Sequence, residues 1–179
     1  LALLAFASAT GCSRSDPERP MIEFTKSRPL SAEPNVDLSL ELIGGALFLK
    51  PLSEDSTDLY RAVLAHDLPE LQPRIDEETV EQRLALHFVH GKYESSMGRA
   101  RNEWRVDWSP QRATKLMLTM KNGVAELDLG GLALERAEIR VDQGRLQLDF
   151  GNAPPKCSCE VVAEVGTGQV ALRFPPDVG

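Results

Sequence analysis

Apolar and polar residues alternate along the last third of the chain, and they do so three times in one pattern. LMLTMKNGVAELDL, AEIRVDQGRLQLDF and VVAEVGTGQVALRF fall between Leu116 and Phe174. The copies align on Gly123, Gly144 and Gly168. Apolar residues then recur three and five positions before each glycine: Met120, Val141 and Val165, then Leu118, Ile139 and Ala163. They recur two, four and six positions after it: Ala125, Leu146 and Val170; Leu127, Leu148 and Leu172; Leu129, Phe150 and Phe174. A strand turns successive side chains to opposite faces, so each copy predicts two strand segments, each with one apolar face. The corner between them needs a residue that tolerates positive φ, which glycine supplies.

The other positions are mostly polar, among them Thr119, Glu126, Asp128, Arg140, Arg145 and Asp149. One such unit cannot bury its own apolar face, whereas several stacked units can. The glycines are 21 and then 24 residues apart, the length of a solenoid rung. Each copy fits two geometries. In a hairpin the two halves share a face of one sheet; in a β-arch they face each other across an interior. An earlier copy, LSLELIGGALFL, is anchored on Gly45, with Leu40 and Leu42 before it and Leu47 and Leu49 after it.

Between the copies the pattern is less regular. Thr79–His90 alternates Val80, Leu84, Leu86 and Phe88 with polar neighbours and reads as one strand. Pro69 and Pro73 make any strand near them an edge. Trp104, Val106 and Trp108 share one face of a further strand that ends at Pro110. The stretches 51–58 and 91–102 are polar loops.

The segment NEWRVDWSPQRATKLMLTMKNGVAELDLGGLALERAEIRVDQGRLQLDF resembles the toast-rack family of bacterial envelope proteins. Trp104, the Leu/Met alternation, the ELDL and GGL elements and the glycine-anchored rung after them carry the likeness. It extends over most of the chain, from about Val36 onward. The resemblance implies an all-β fold of stacked strands, β-solenoid-like, and makes LYRAVLA (59–65) a strand rather than a helix. It brings no catalytic signature. Some relatives are adhesin-like and others regulate responses to cell-wall antibiotics, so it implies a fold more than an activity.

The N-terminus reads differently. Residues 1–11, LALLAFASATG, are a short apolar run closed by small residues, and Cys12 follows. This is the pattern of a bacterial lipoprotein signal peptide, truncated at its start, with Cys12 as the lipidated residue; the alternative is an ordinary secretory signal or a buried apolar terminus. Ala9 stands where a larger aliphatic residue is commoner. Acyl chains bury many CH₂ groups and anchor firmly, while eleven residues cannot span a bilayer as a helix. Ser13 after the cysteine favours the outer membrane where one exists. Residues 12–35, with four prolines, read as a tether in which only Ile22 and Phe24 hint at a short docking strand. Residues 36–179 are then one β domain, expected to be truncated at its C-terminal side.

Formal net charge is −7, which argues against nucleic-acid binding. The histidines, His66, His87 and His90, are scattered, and Cys157–Cys159 lacks the further ligands of a metal site. In an exported protein those two thiols are candidates for a disulfide, strained if both lie on one strand. Asp128 and Asp149 hold one slot of successive copies, and Arg173 holds it in the third. This is a solvated charge ladder or, alternatively, a pair of acids on a sheet face. Trp104 and Trp108 are core residues or, alternatively, a sugar-stacking face.

No cofactor, metal or catalytic set converges in the sequence. The expectation is a non-catalytic envelope lipoprotein acting as an interaction scaffold in adhesion or envelope-stress sensing. The alternative is a glycan-binding or glycan-cleaving protein using the Trp face or the Asp ladder; a passive spacer is the third reading. The last rung presents an unpaired edge, which invites an envelope partner, a second copy or further protein.

Overall fold

A computed structural model of the chain describes residues 19–30, 32–91, 100–151, 153–154, 156 and 158–175. Among them nine strands run in sequence: β1 (Ile22–Pro29), β2 (Asn35–Pro51), β3 (Asp58–His66), β4 (Arg74–Val80), β5 (Arg83–Val89), β6 (Asn102–Trp108), β7 (Ala113–Asp128), β8 (Leu134–Asp149) and β9 (Glu160–Arg173). A 3₁₀ turn at Pro69–Leu71 is the only helical element among the described residues.

The four copies of the repeat are β2, β7, β8 and β9. They stack in parallel and in register, so that Gly45 lies beside Gly123, Gly123 beside Gly144, and Gly144 beside Gly168. All four glycines have positive φ, from +114° to +147°. Before the corner of β7 the buried residues are Thr114, Leu116, Leu118 and Met120; after it they are Ala125 and Leu127. The buried parity therefore switches from even to odd at Gly123. Parallel stacking with this switch identifies the rungs as β-arches, not hairpins. Each rung folds over at its glycine, and its two halves face each other across one interior.

That interior holds a single buried apolar cluster drawn from β2, β3 and β5–β8. Leu127, Leu148, Leu40 and Leu47 are each 1% exposed or less. Burying one such side chain contributes roughly 1.5–3 kcal/mol. The stack of rungs, more than any single strand, supplies the stability.

Below β2 the rung is broken in two. β5 runs parallel beside the first half of β2, and β6 runs parallel beside its second half. Asn102 occupies the corner beside Gly45, its side-chain Nδ2 donating to the Gly44 carbonyl at 3.0 Å. Antiparallel strands then finish each layer, β4 on β5 in one, and β3 on β6 followed by β1 on β3 in the other.

Two expectations are corrected. The run Thr79–His90 is not one strand: Glu81 and Gln82 take positive φ and turn the chain between β4 and β5. Val80 consequently ends β4 and is 52% exposed, while Leu84, Leu86 and Phe88 are buried. The segment read as a tether is in part folded, since Ile22–Pro29 pairs along β3 as strand β1.

Candidate functional site

The two ends of the stack are built differently. At the β1/β4 end the layers are tied together by polar groups. Tyr60 of β3 is buried and packs edge-on to Phe88 of β5, with ring centroids 5.2 Å apart. Its hydroxyl donates to Glu77 of β4 at 3.4 Å. Glu77 also receives Arg28 and, at 3.2 Å, Lys26, both from β1. Burial pushes the Tyr60 hydroxyl up to about 12; the charge of Glu77 adds to the effect and Arg28 opposes it. Charged residues thus lie along the edge strands β1 and β4, a common guard against unwanted strand pairing.

The β9 end is open. Val161 and Ala163 from the first half of β9, and Leu172 and Phe174 from beyond its corner, line one trough of about 730 Å³ with Leu148 and Phe150 beneath them. The Phe150 and Phe174 rings stack at 5.1 Å. Leu172 holds the same rung position as Leu127 and Leu148 yet is 54% exposed, because β9 is the last rung among the described residues.

The outer faces carry the ion pairs. On one, Arg136 reaches Glu138 at 2.7 Å and Glu160 at 3.2 Å, and Arg140 reaches Asp142 at 3.1 Å. Arg83 bridges Asp37 at 2.8 Å and Glu135 at 3.1 Å. On the other, a shallow groove of about 460 Å³ is lined by Phe48, Lys50, Arg105, Asp107, Glu126 and Asp128, among others. Phe48 was not singled out in the sequence, although its outward parity between the buried Leu47 and Leu49 marks it as an apolar residue on a polar face.

Asp128 and Asp149 do lie side by side in register, with Arg173 next in line. Their carboxylates close turns: Asp128 Oδ1 accepts from the Gly130 amide at 3.1 Å, and Asp149 Oδ1 from the Gly151 amide at 2.6 Å. Arg173 donates to Asp149 Oδ2 at 3.1 Å. The Asp-x-Gly spacing in both copies is the sequence signal for this role.

The tryptophan face is corrected. Trp104 and Trp108 are 0% and 1% exposed and belong to the core. Trp108 Nε1 donates to Thr114 Oγ1 at 3.0 Å, and its ring stacks on Tyr60 at 6.2 Å. Neither indole offers a surface to a sugar. His66 Nδ1 donates to the Leu68 carbonyl at 2.6 Å and His90 Nδ1 to that of Gly91 at 2.8 Å, so both rings serve local loop structure. Cys159 is half-buried and packs against the core. Cys157, the lipidation candidate Cys12 and the apolar N-terminal run lie outside the described residues. Among the described residues no helix is long and apolar enough to cross a membrane.

Comparison with known proteins agrees with this architecture. The family model described as the N-terminal domain of toast_rack, DUF2154, matches residues 18–173. No curated protein matches the chain. A crystal structure of a candidate cell adhesion protein from Clostridium sporogenes superposes with a TM-score of 0.67 at 16% identity, covering 86% of this chain and 99% of that one. A candidate adhesin from Parabacteroides distasonis gives a TM-score of 0.36 at 13% identity, covering 88% of this chain and 67% of that one. Only the first superposition is close enough to compare strand arrangements, and what it shares with this chain is the fold.

Proposed function

We propose, from the premise that the chain belongs to the family of N-terminal toast-rack domains, that it is a non-catalytic scaffold of the bacterial cell envelope. In this reading Cys12 carries the lipid anchor, and the stiff β stack holds an interaction surface away from the membrane. Its task is adhesion or the sensing of envelope damage. The observation that supports it best is how the polar residues are employed. Many of the described ion pairs lie within one strand or between neighbouring strands, the two in-register aspartates close turns, and the indoles are in the core. Among the described residues, the groove that holds Glu126, Asp128 and Asp149 is lined by no serine, threonine, cysteine or histidine to serve as nucleophile or imidazole base beside them.

The test has two arms. Labelling cells with a clickable palmitate analogue should mark the wild-type protein and leave Cys12→Ser unmarked and released from membranes. Crosslinking in cells followed by purification should recover one specific envelope protein or surface ligand. An unlabelled wild-type protein would refute the anchor, and a lack of any partner under several crosslinkers would refute the scaffold. The glycan-directed alternative retains only the acidic side of its case. Hydrolysis or binding of a glycan that is lost in Asp128→Asn or Asp149→Asn would favour it.

A further inference from the structure

The open β9 end differs from every other boundary of the molecule. Seven large apolar side chains are strongly exposed among the described residues, and four of them, Val162, Val170, Leu172 and Phe174, lie on β9 or directly after it. The edges of β1 and β4 carry Lys26, Arg28, Asp76, Glu77 and Glu78; β9 carries Glu160, Glu164 and Arg173 around an apolar trough.

We propose that this end is closed by a second copy of the chain, joined edge to edge about a twofold axis running through the Gly168 corners. A β-arch is close to symmetric about its corner. Val165 and Ala163 stand three and five residues before Gly168, and Val170 and Leu172 stand two and four after it, all with inward parity. Rotation about that axis lays the first half of each β9 antiparallel along the second half of the other. Val165 then meets Val170 of the second copy, and Ala163 meets Leu172. Each copy supplies a missing rung for the other, so both layers and the apolar interior continue across the junction.

Charge selects this arrangement over the alternative twofold. Val162 pairs with Arg173 of the second copy, and Glu160 and Glu164 become its diagonal neighbours, within reach of a long side chain. The other axis, perpendicular to the layers, pairs first half with first half about Val162 and sets Glu160 of each copy against Glu164 of the other, which is repulsive. The footprint is about 20 Å long by about 25 Å across two layers, or ~1,000 Å² in total. That lies near the lower limit of a specific interface, so the dimer should be reversible and concentration-dependent. The closed symmetry also consumes both copies' open edges, which ends growth at two.

The proposal is independent of adhesion or stress sensing, and its test reads mass and geometry, not binding to the envelope. Sedimentation velocity of the full chain should show a monomer–dimer equilibrium. Leu172→Glu, at a position already half exposed, should weaken it at least about tenfold in Kd while leaving the circular dichroism unchanged. Arg173→Glu should also weaken it, and adding Glu160→Arg and Glu164→Arg should restore it.

In a background free of Cys12, Cys157 and Cys159, Val162→Cys combined with Arg173→Cys should give a disulfide-linked dimer on oxidation. The two positions face outward on different layers of one copy and cannot join within it. A monomer at all concentrations, with β9 amides exchanging freely or protected by another part of the chain, would overturn the proposal. So would open-ended polymers, or crosslinking by Val162→Cys alone.

Discussion

Gly123 lies directly against Gly45: a Cβ placed on Gly123 would collide with the Gly45 carbonyl oxygen. The same contact recurs from Gly144 to Gly123 and from Gly168 to Gly144. Each corner is therefore glycine for two reasons, its φ and its neighbour. Gly123→Ala is expected to cost about 2–4 kcal/mol, read as a fall in urea midpoint at unchanged slope. Gly131 is the control. Its φ is +70°, but an added Cβ would meet nothing nearer than Ala153 at 3.8 Å. Gly131→Asn should cost less than about 1 kcal/mol, because asparagine tolerates that conformation.

Leu127 and Leu172 hold one position in different rungs, 1% and 54% exposed respectively. Leu127→Ala opens a cavity in a packed interior and should cost about 2–5 kcal/mol. Leu172→Ala, measured at concentrations where the chain is monomeric, should cost under about 1 kcal/mol. Equal costs would mean that the open end is covered within one chain.

With both indoles buried, tryptophan emission should be blue-shifted and poorly quenched by acrylamide. Adding cell-wall oligosaccharides should leave it unchanged. A sugar-dependent shift would return Trp104 or Trp108 to the surface.

Tyr60 gives the fold an alkaline limit. Its hydroxyl is raised from 10.0 to about 12, chiefly by burial. A group whose folded pKa is raised contributes stability that is complete below its unfolded pKa and is lost as pH rises through the folded one. Denaturation midpoints should thus fall between pH 10.0 and about 12. Tyr60→Phe should flatten that fall; an unchanged slope would assign it to other groups.

The repeat was legible because apolar spacing and glycine punctuation are both sequence properties, and they place Leu118, Leu127, Ile139 and Leu148 in the interior where the structure has them. The choice between hairpin and arch was not legible. In both, the residues three before and two after the glycine share a direction, and only the register between rungs tells them apart. The broken rung was hidden for a related reason: β5 and β6 lie beside β2 through long-range pairing, with Asn102 in place of a corner glycine. The turn at Glu81–Gln82 left no mark because neither residue is a usual carrier of positive φ. Trp104 and Trp108 were legible as one strand face, but composition does not say whether that face looks inward or outward.

The column of glycines also makes the height of the molecule a heritable quantity. Duplicating one unit, such as the 21 residues from Gly123 to Gln143, adds one interstrand step of about 4.8 Å without calling for any new contact. Descendants of such a gene can change how far a surface reaches simply by gaining or losing copies, each new layer inheriting its template from the one below.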